Sequence, residues 1–277
     1  MNSETFLSPA KLNLMLHITG QRADGYHNLQ TVFQLISLYD EISIEINDSD
    51  EITRSFGNED IAEQDDLLIK AAHLLKQQSG HSFGANIGIK KNIPMGGGLG
   101  GGSSNAATVL LALNKLLKLG FSLEQLLSFA AQLGADVPVF VFAQSAWAEG
   151  IGEQLEVMKL PKKYFLVLHP QVFVSTGQLF SSEQLTRTCS PITIRAFLEG
   201  EGKNVFQPLV LEQYEEVKKA FNWLSQFAIT KLTGTGACLF CEFDSIQQAQ
   251  KIQQKVPHSW SSWVVEGLDK SPLHQLR

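Results

Sequence analysis

Six of the seven residues from Gly96 to Gly102 are glycine, and no other stretch of this 277-residue chain limits its fold so sharply. From Pro94 to Ser104 the segment reads Pro94, Met95, Gly96, Gly97, Gly98, Leu99, Gly100, Gly101, Gly102, Ser103, Ser104. An ordered glycine costs about 0.5–1 kcal/mol relative to alanine, so this density argues against a simple turn. A backbone without Cβ atoms lets several N–H groups point at one anion. A helix starting just beyond adds the positive end of its dipole. The tract therefore predicts a phosphate cradle. It is not a Walker A loop, because no Lys-Ser or Lys-Thr pair closes it. Gly96, Gly98 and Gly101 fit GxGxxG spacing, but the strand before them ends in Lys90-Lys91. The chain also lacks regular strand–helix alternation, which disfavours a Rossmann unit.

Hydrophobic periodicity supplies the frame around the tract. Leu12, Leu14, Leu16 and Ile18 alternate as one face of a strand over 12–19. Further strands are predicted over 31–38, 41–47 and 84–91. Asp65 or Asp66 caps a helix running to about Gln77, and Gly80 ends it. A second helix is predicted from about Ala106 to Leu119. Ser122 with Gln125 forms a capping box that opens a third, stopped by Gly134. Asp136-Val137-Pro138 begins a short element. Beyond residue 155 the pattern predicts strands over 164–169, 229–233, 237–243 and 263–267. A long helix over 209–227 and another near 245–254 accompany them. The predicted class is α+β with two lobes, 1–155 and 156–277, the second built on an antiparallel sheet. The site is expected where the lobes meet.

Charge narrows the function classes. The chain carries 22 basic and 28 acidic residues, a net charge of −6, and its basic residues cluster in pairs at most. That is no footprint for nucleic acid. The uncharged window 92–114 holds six glycines, two serines and three asparagines, unlike a membrane span. The amino terminus has no basic flank and no apolar run, and three cysteines build no disulfide framework. These features predict a cytoplasmic protein with no membrane association, and no obligate protein partner is evident. Cys238 and Cys241 lie three apart in a predicted strand, which puts them on opposite faces as buried residues rather than as a metal or redox pair. The histidines show no metal-ligand spacing, and the ligands of any metal stay unassigned.

Five blocks then occur in order. They are Ser8-Pro9-Ala10-Lys11-Leu12-Asn13-Leu14, Asp24-Gly25-Tyr26-His27, Pro94 through Thr108, Gly134-Ala135-Asp136-Val137-Pro138, and Leu232-Thr233-Gly234-Thr235-Gly236-Ala237. Together they resemble the GHMP small-molecule kinases, and the first two narrow the resemblance to the branch acting on cytidine-diphospho methylerythritol in non-mevalonate isoprenoid synthesis. The resemblance implies a two-lobe GHMP kinase fold with ATP, as its Mg²⁺ complex, on the glycine loop of the N-terminal lobe. It implies phosphorylation of the substrate's 2-hydroxyl, with Lys11 and Asp136 catalytic and Asn13 beside them. It also implies that His27 reads the cytosine, that Tyr26 and Phe180 stack on it, and that Asp66-Leu67 lie in the adenine pocket. The family's adenine segment usually reads Asn-Leu, and Gly101-Gly102 stand where relatives carry Ser-Ser. The relatives' Mg²⁺-binding serine therefore does not transfer directly to Ser103 or Ser104.

The chemistry agrees with those roles. A tertiary alcohol is a weak nucleophile, so a carboxylate near its proton is useful, and Asp136 fits. Lys11 would offset charge developing on the attacking oxygen. Plainer readings compete. Asp136 precedes a proline and is placed to cap a helix, Lys11 can be a solvated strand edge, and Tyr26 and His27 can be loop packing. Other functions compete too: a kinase of mevalonate or homoserine, a non-catalytic GHMP-fold ligand sensor, and a nucleotide-dependent oxidoreductase.

Overall fold

The computed structural model describes residues 3–277. Its first feature is a long antiparallel hairpin of β1 (Glu4–Gln21) and β2 (His27–Asn47). The predicted strand 12–19 is part of β1, while 31–38 and 41–47 merge into β2. They merge because the ladder bulges without breaking: Pro9 faces Tyr39, whereas the next residue, Ala10, faces Ile36. Proline has no N–H to give the ladder, and a bulge accommodates it.

After β3 (Ile52–Phe56) comes α1 (Leu67–Ser79), with ends as expected. The Asp66 side chain accepts from Leu68 N, and Gly80 closes the helix at φ 63°. Next are β4 (Gly84–Lys90) and α2 (Gly101–Leu116). α2 corrects the sequence reading, for it starts inside the glycine tract instead of near Ala106. Glycine's low helix propensity hides that first turn. Tertiary bonds hold it: Ser8 Oγ donates to Ser104 Oγ at 2.8 Å and to Asn105 Oδ1 at 2.9 Å. Gly102 is exposed, and an added Cβ would lie 3.9 Å from Leu67 Cδ1. Gly102→Ala should therefore raise stability by about 0.4–1 kcal/mol, measured by urea denaturation.

The capping box of Ser122 and Gln125 opens α3 (Leu123–Leu133) as expected, and α4 (Val137–Phe142) follows. A hairpin of β5 (Ala146–Glu149) and β6 (Gln154–Val157) extends the sheet from β2. Its four-residue strands are too short to show a period. The remaining elements are β7 (Tyr164–His169), α5 (Thr176–Ser181), α6 (Ile194–Leu198), α7 (Gln207–Gln213), α8 (Glu215–Leu224), β8 (Thr230–Leu232), β9 (Leu239–Phe243), α9 (Ile246–Gln253) and β10 (Ser261–Leu268). The expected helix 209–227 is two helices, because Tyr214 is extended at φ −121°, ψ 95°. Glu215 and Glu216 then suit a fresh N-terminus, where the helix dipole favours negative charge.

One mixed sheet runs through both halves in the order β3-β4-β2-β10-β7-β9-β8. β10 is the joint, pairing with β2 through Gly267 and Leu268 and with β7 through Ser261 to Glu266. Buried apolar residues form one cluster beneath α1 to α4, a second in the C-terminal half and a third between them. Cys238 and Cys241 belong to different clusters, so they do point to opposite faces. Burial pushes the Cys241 thiol up to about 11 and Cys238 higher still. Both are poor nucleophiles. No helix among the described residues is long and apolar enough to cross a membrane.

Candidate active site

The two glycine segments interlock. Ala237 N donates to Gly96 O at 3.2 Å, and Cys238 N donates to Gly97 O at 3.1 Å. Gly98 stands at φ 74° where an added Cβ would collide with the Thr233 carbonyl, so only glycine suits this crossing. Asn204 steadies the second segment, its Nδ2 donating to Leu232 O at 2.9 Å and to Gly234 O at 2.8 Å. The approach to the first is held by Asp40. This fully buried carboxylate accepts from Asn92 N at 2.7 Å, from Ile93 N at 2.9 Å and from Lys91 Nζ. The loop is thus built rigid, with the first amides of α2 (Gly101, Gly102, Ser103) lacking a carbonyl partner within the helix.

β1 carries the charged centre to the loop. Lys11 N donates to Leu99 O at 3.0 Å, so strand and loop are tied through the backbone. The Lys11 side chain is only 2% exposed. Its ammonium meets Asn13 Oδ1 at 2.6 Å, Gly98 O at 3.0 Å and Asp136 Oδ2 at 3.3 Å. Two of its three donors are hydrogen-bonded, to Asn13 and Gly98, and the Asp136 carboxylate adds an ion pair. Lys11 is therefore no solvated edge residue. Asp136 occupies the N-cap position of α4, but its side chain makes no capping bond. Asn13 is fixed in turn, since its Nδ2 donates to Thr31 Oγ1 at 2.9 Å and its backbone N to Thr233 Oγ1 at 3.0 Å.

The glycine loop walls two cavities. The inner, about 330 Å³, is lined by Lys11, Asn13, Asp136, Phe180 and residues of both glycine segments; Lys11 and Asp136 are its charged lining residues. The outer, about 290 Å³, is lined by Leu67, Lys91 and Pro94 through Ser103. Gly96, Gly98, Gly100 and Ser103 face both. Every predicted cradle residue from Pro94 to Ser103 thus reaches a cavity. Ser104 does not, because it is buried against Ser8. Asp66 is also committed elsewhere: its Oδ2 meets Arg54 Nη1 and Asn58 Nδ2, both at 2.9 Å, and its Oδ1 caps α1. Leu67 lines the outer cavity while the Asp66 carboxylate clasps the preceding loop.

Phe180 lines the inner cavity, and its ring centroid lies 5.3 Å from that of His27, which stands behind it and does not itself line the cavity. His27 is buried, and Arg187 Nε donates to its Nε2 at 3.2 Å. Tyr26 is not brought to the cavity wall. It is 60% exposed on the hairpin turn, where its backbone N donates to Asp24 Oδ1 at 3.1 Å.

The sequence matches the GHMP kinases N terminal domain over residues 66–144 and the GHMP kinases C terminal family over 191–262. A 4-diphosphocytidyl-2-C-methyl-D-erythritol kinase of Nitrosospira multiformis is 48% identical over 270 residues, covering 96% of this chain and 92% of the relative. The chain belongs to the 4-diphosphocytidyl-2-C-methyl-D-erythritol kinase family of GHMP kinases. A Marinomonas relative of the same name is 47% identical, covering 99% of this chain and 90% of its own. A crystal structure of a 4-(cytidine 5'-diphospho)-2C-methyl-D-erythritol kinase superposes with a TM-score of 0.83 at 29% identity, covering 95% of this chain and 99% of that one.

Several residues of this GHMP kinase site were not foreseen. Asp40, Asn204 and Arg187 act on the site through other groups, and Thr31 both lines the inner cavity and holds Asn13. Only Thr233 sat inside a recognised block, and its hydroxyl bridges Asn13 N and Gly98 O. The others pair across 18 to 160 positions of sequence, for which no local spacing exists.

Proposed function

We propose that this ATP-dependent GHMP kinase transfers the γ-phosphoryl group to the 2-hydroxyl of 4-diphosphocytidyl-2-C-methyl-D-erythritol. The observation that carries the reading is the Lys11–Asp136 pair at the inner wall of a glycine loop that also faces a second cavity. ATP lies along the outer wall with its phosphates on the loop and α2 amides, and the acceptor alcohol lies in the inner cavity. Asp136 takes the hydroxyl proton as the oxygen bonds to the γ-phosphorus and ADP departs with the electron pair of the broken P–O bond. Lys11 offsets the negative charge on the attacking oxygen, and Asn13 holds the ammonium in place. The cytosine lies at the His27–Phe180 end, with Tyr26 as the free aromatic on the adjoining turn. The expected lobe division at 155/156 falls inside β6, so the boundary is proposed after that strand, and the 3₁₀ turn Pro272–Leu276 of the second lobe packs back on the first through Leu273.

Mg²⁺ is proposed to arrive on ATP, where it neutralises phosphate charge. The described residues contain no group of three or more His, Cys, Asp or Glu side chains able to cage a metal. Ser103 and Asp136, oxygen-bearing residues that line the inner cavity beside the loop, would hold the cation. The reading is tested by ATP consumption with the cytidine-diphospho alcohol, mevalonate and homoserine offered separately. Turnover with the first alone is expected. Equal or faster turnover with either of the others would overturn the substrate assignment.

A further inference from the structure

We propose that Arg187 is a positioning residue that fixes His27 as an Nδ1–H donor and thereby selects a cytidine diphosphate over a uridine diphosphate; this rests on the cytidine reading above. A guanidinium has five N–H donors and no acceptor. Its bond to His27 Nε2, at 3.2 Å, therefore requires that nitrogen to offer a lone pair. In the neutral ring the one remaining proton must then sit on Nδ1.

The rest of the guanidinium is pinned. Nη2 donates to Phe180 O at 2.8 Å and to Ser182 O at 2.9 Å, and Nη1 to Leu185 O at 3.3 Å. The same side chain thus secures the end of α5, which places the Phe180 ring beside His27 and in the wall of the inner cavity. Burial, and secondarily the Arg187 charge, hold the His27 pKa below the ordinary imidazole value, so the neutral ring persists. His27 Nδ1 has no hydrogen-bond partner among the described residues, yet it is not sealed in as His17 Nδ1 and His169 Nε2 are. It is available to a ligand.

The selectivity follows from the bases. Cytosine N3 carries a lone pair, while uracil N3 carries a proton. An Nδ1–H donor matches the first and opposes the second donor to donor. A freely exchanging imidazole could meet uracil through its other tautomer. Arg187 removes that choice.

The test uses the full chain with nitrogen-labelled histidine. Long-range proton–nitrogen NMR reports the His27 tautomer, and calorimetry compares CDP with UDP. The wild type should show the Nδ1–H tautomer and prefer CDP. Arg187→Met should shift the ring toward Nε2–H and lower the CDP:UDP affinity ratio by about tenfold, the effect of one hydrogen bond to a group otherwise left unpaired. Arg187→Lys should recover part of both. An Nε2–H ring in the wild type overturns the proposal without any variant having to fold. A wild-type preference that persists in a folded Arg187→Met removes the role of Arg187 and leaves the cytidine reading standing. A locked tautomer in a wild type that binds CDP and UDP equally overturns the cytidine reading, and the selectivity proposal with it.

Discussion

Asp136→Asn should yield a folded enzyme whose kcat is lower by about 10²–10⁴-fold, the usual contribution of a positioned general base. The amide keeps the shape of the carboxylate and still offers Lys11 an oxygen, but it cannot take a proton. Folding has little to lose at this position. The side chain makes no capping bond and is 39% exposed, so the attraction to Lys11 is partly screened. Thermal unfolding should therefore move by only a few degrees, about 1 kcal/mol for a chain of this size. Steady-state kinetics beside a melting curve separate the two effects. Near-normal kcat in the folded variant would leave Asp136 as a mere partner for Lys11. A loss confined to KM would make it a binding residue.

The sequence exposed this centre unevenly, for reasons that particular residues make plain. Features with a local chemical rule were legible. Asp66 and Gly80 bracket α1, and Ser122 with Gln125 opens α3, because a cap is decided within four residues. Cys238 and Cys241 were placed on opposite faces by strand geometry alone. Features decided by distant partners were not. The first turn of α2 is glycine and serine, and it is helical because Ser8 on β1 bonds to Ser104 and Asn105. Tyr214 interrupts an amphipathic stripe that reads as one helix. The Asp66 side chain is held by Arg54 and Asn58 from outside its own segment, which no local rule announces. The block pattern located Lys11 and Asp136, but not the buried Asp40 that holds the approach to the glycine loop.

Lys11→Met should lower kcat by about 10²–10³-fold, comparable to loss of a preorganised donor that stabilises transition-state charge. Methionine fills much of the same volume, so the test is of charge rather than of packing. Unlike the aspartate change, this one should also cost stability. The Lys11 ammonium is buried, and its loss leaves Asn13 Oδ1 without its donor at 2.6 Å. An unpaired buried acceptor costs about 1–3 kcal/mol. Gly98 O suffers less, because Thr233 Oγ1 lies 3.4 Å away and continues to donate to it. The decisive measurement is the double variant. If Lys11 and Asp136 act as one unit, combining Lys11→Met with Asp136→Asn should cost little more in kcat than the worse single change. Independent roles would instead multiply the two losses. The charges meet at 3.3 Å beside the loop carbonyl of Gly98, so neither can be removed without changing the field in which the other works. Multiplicative losses would mean that the contact organises the fold of the site while the two residues serve separate steps.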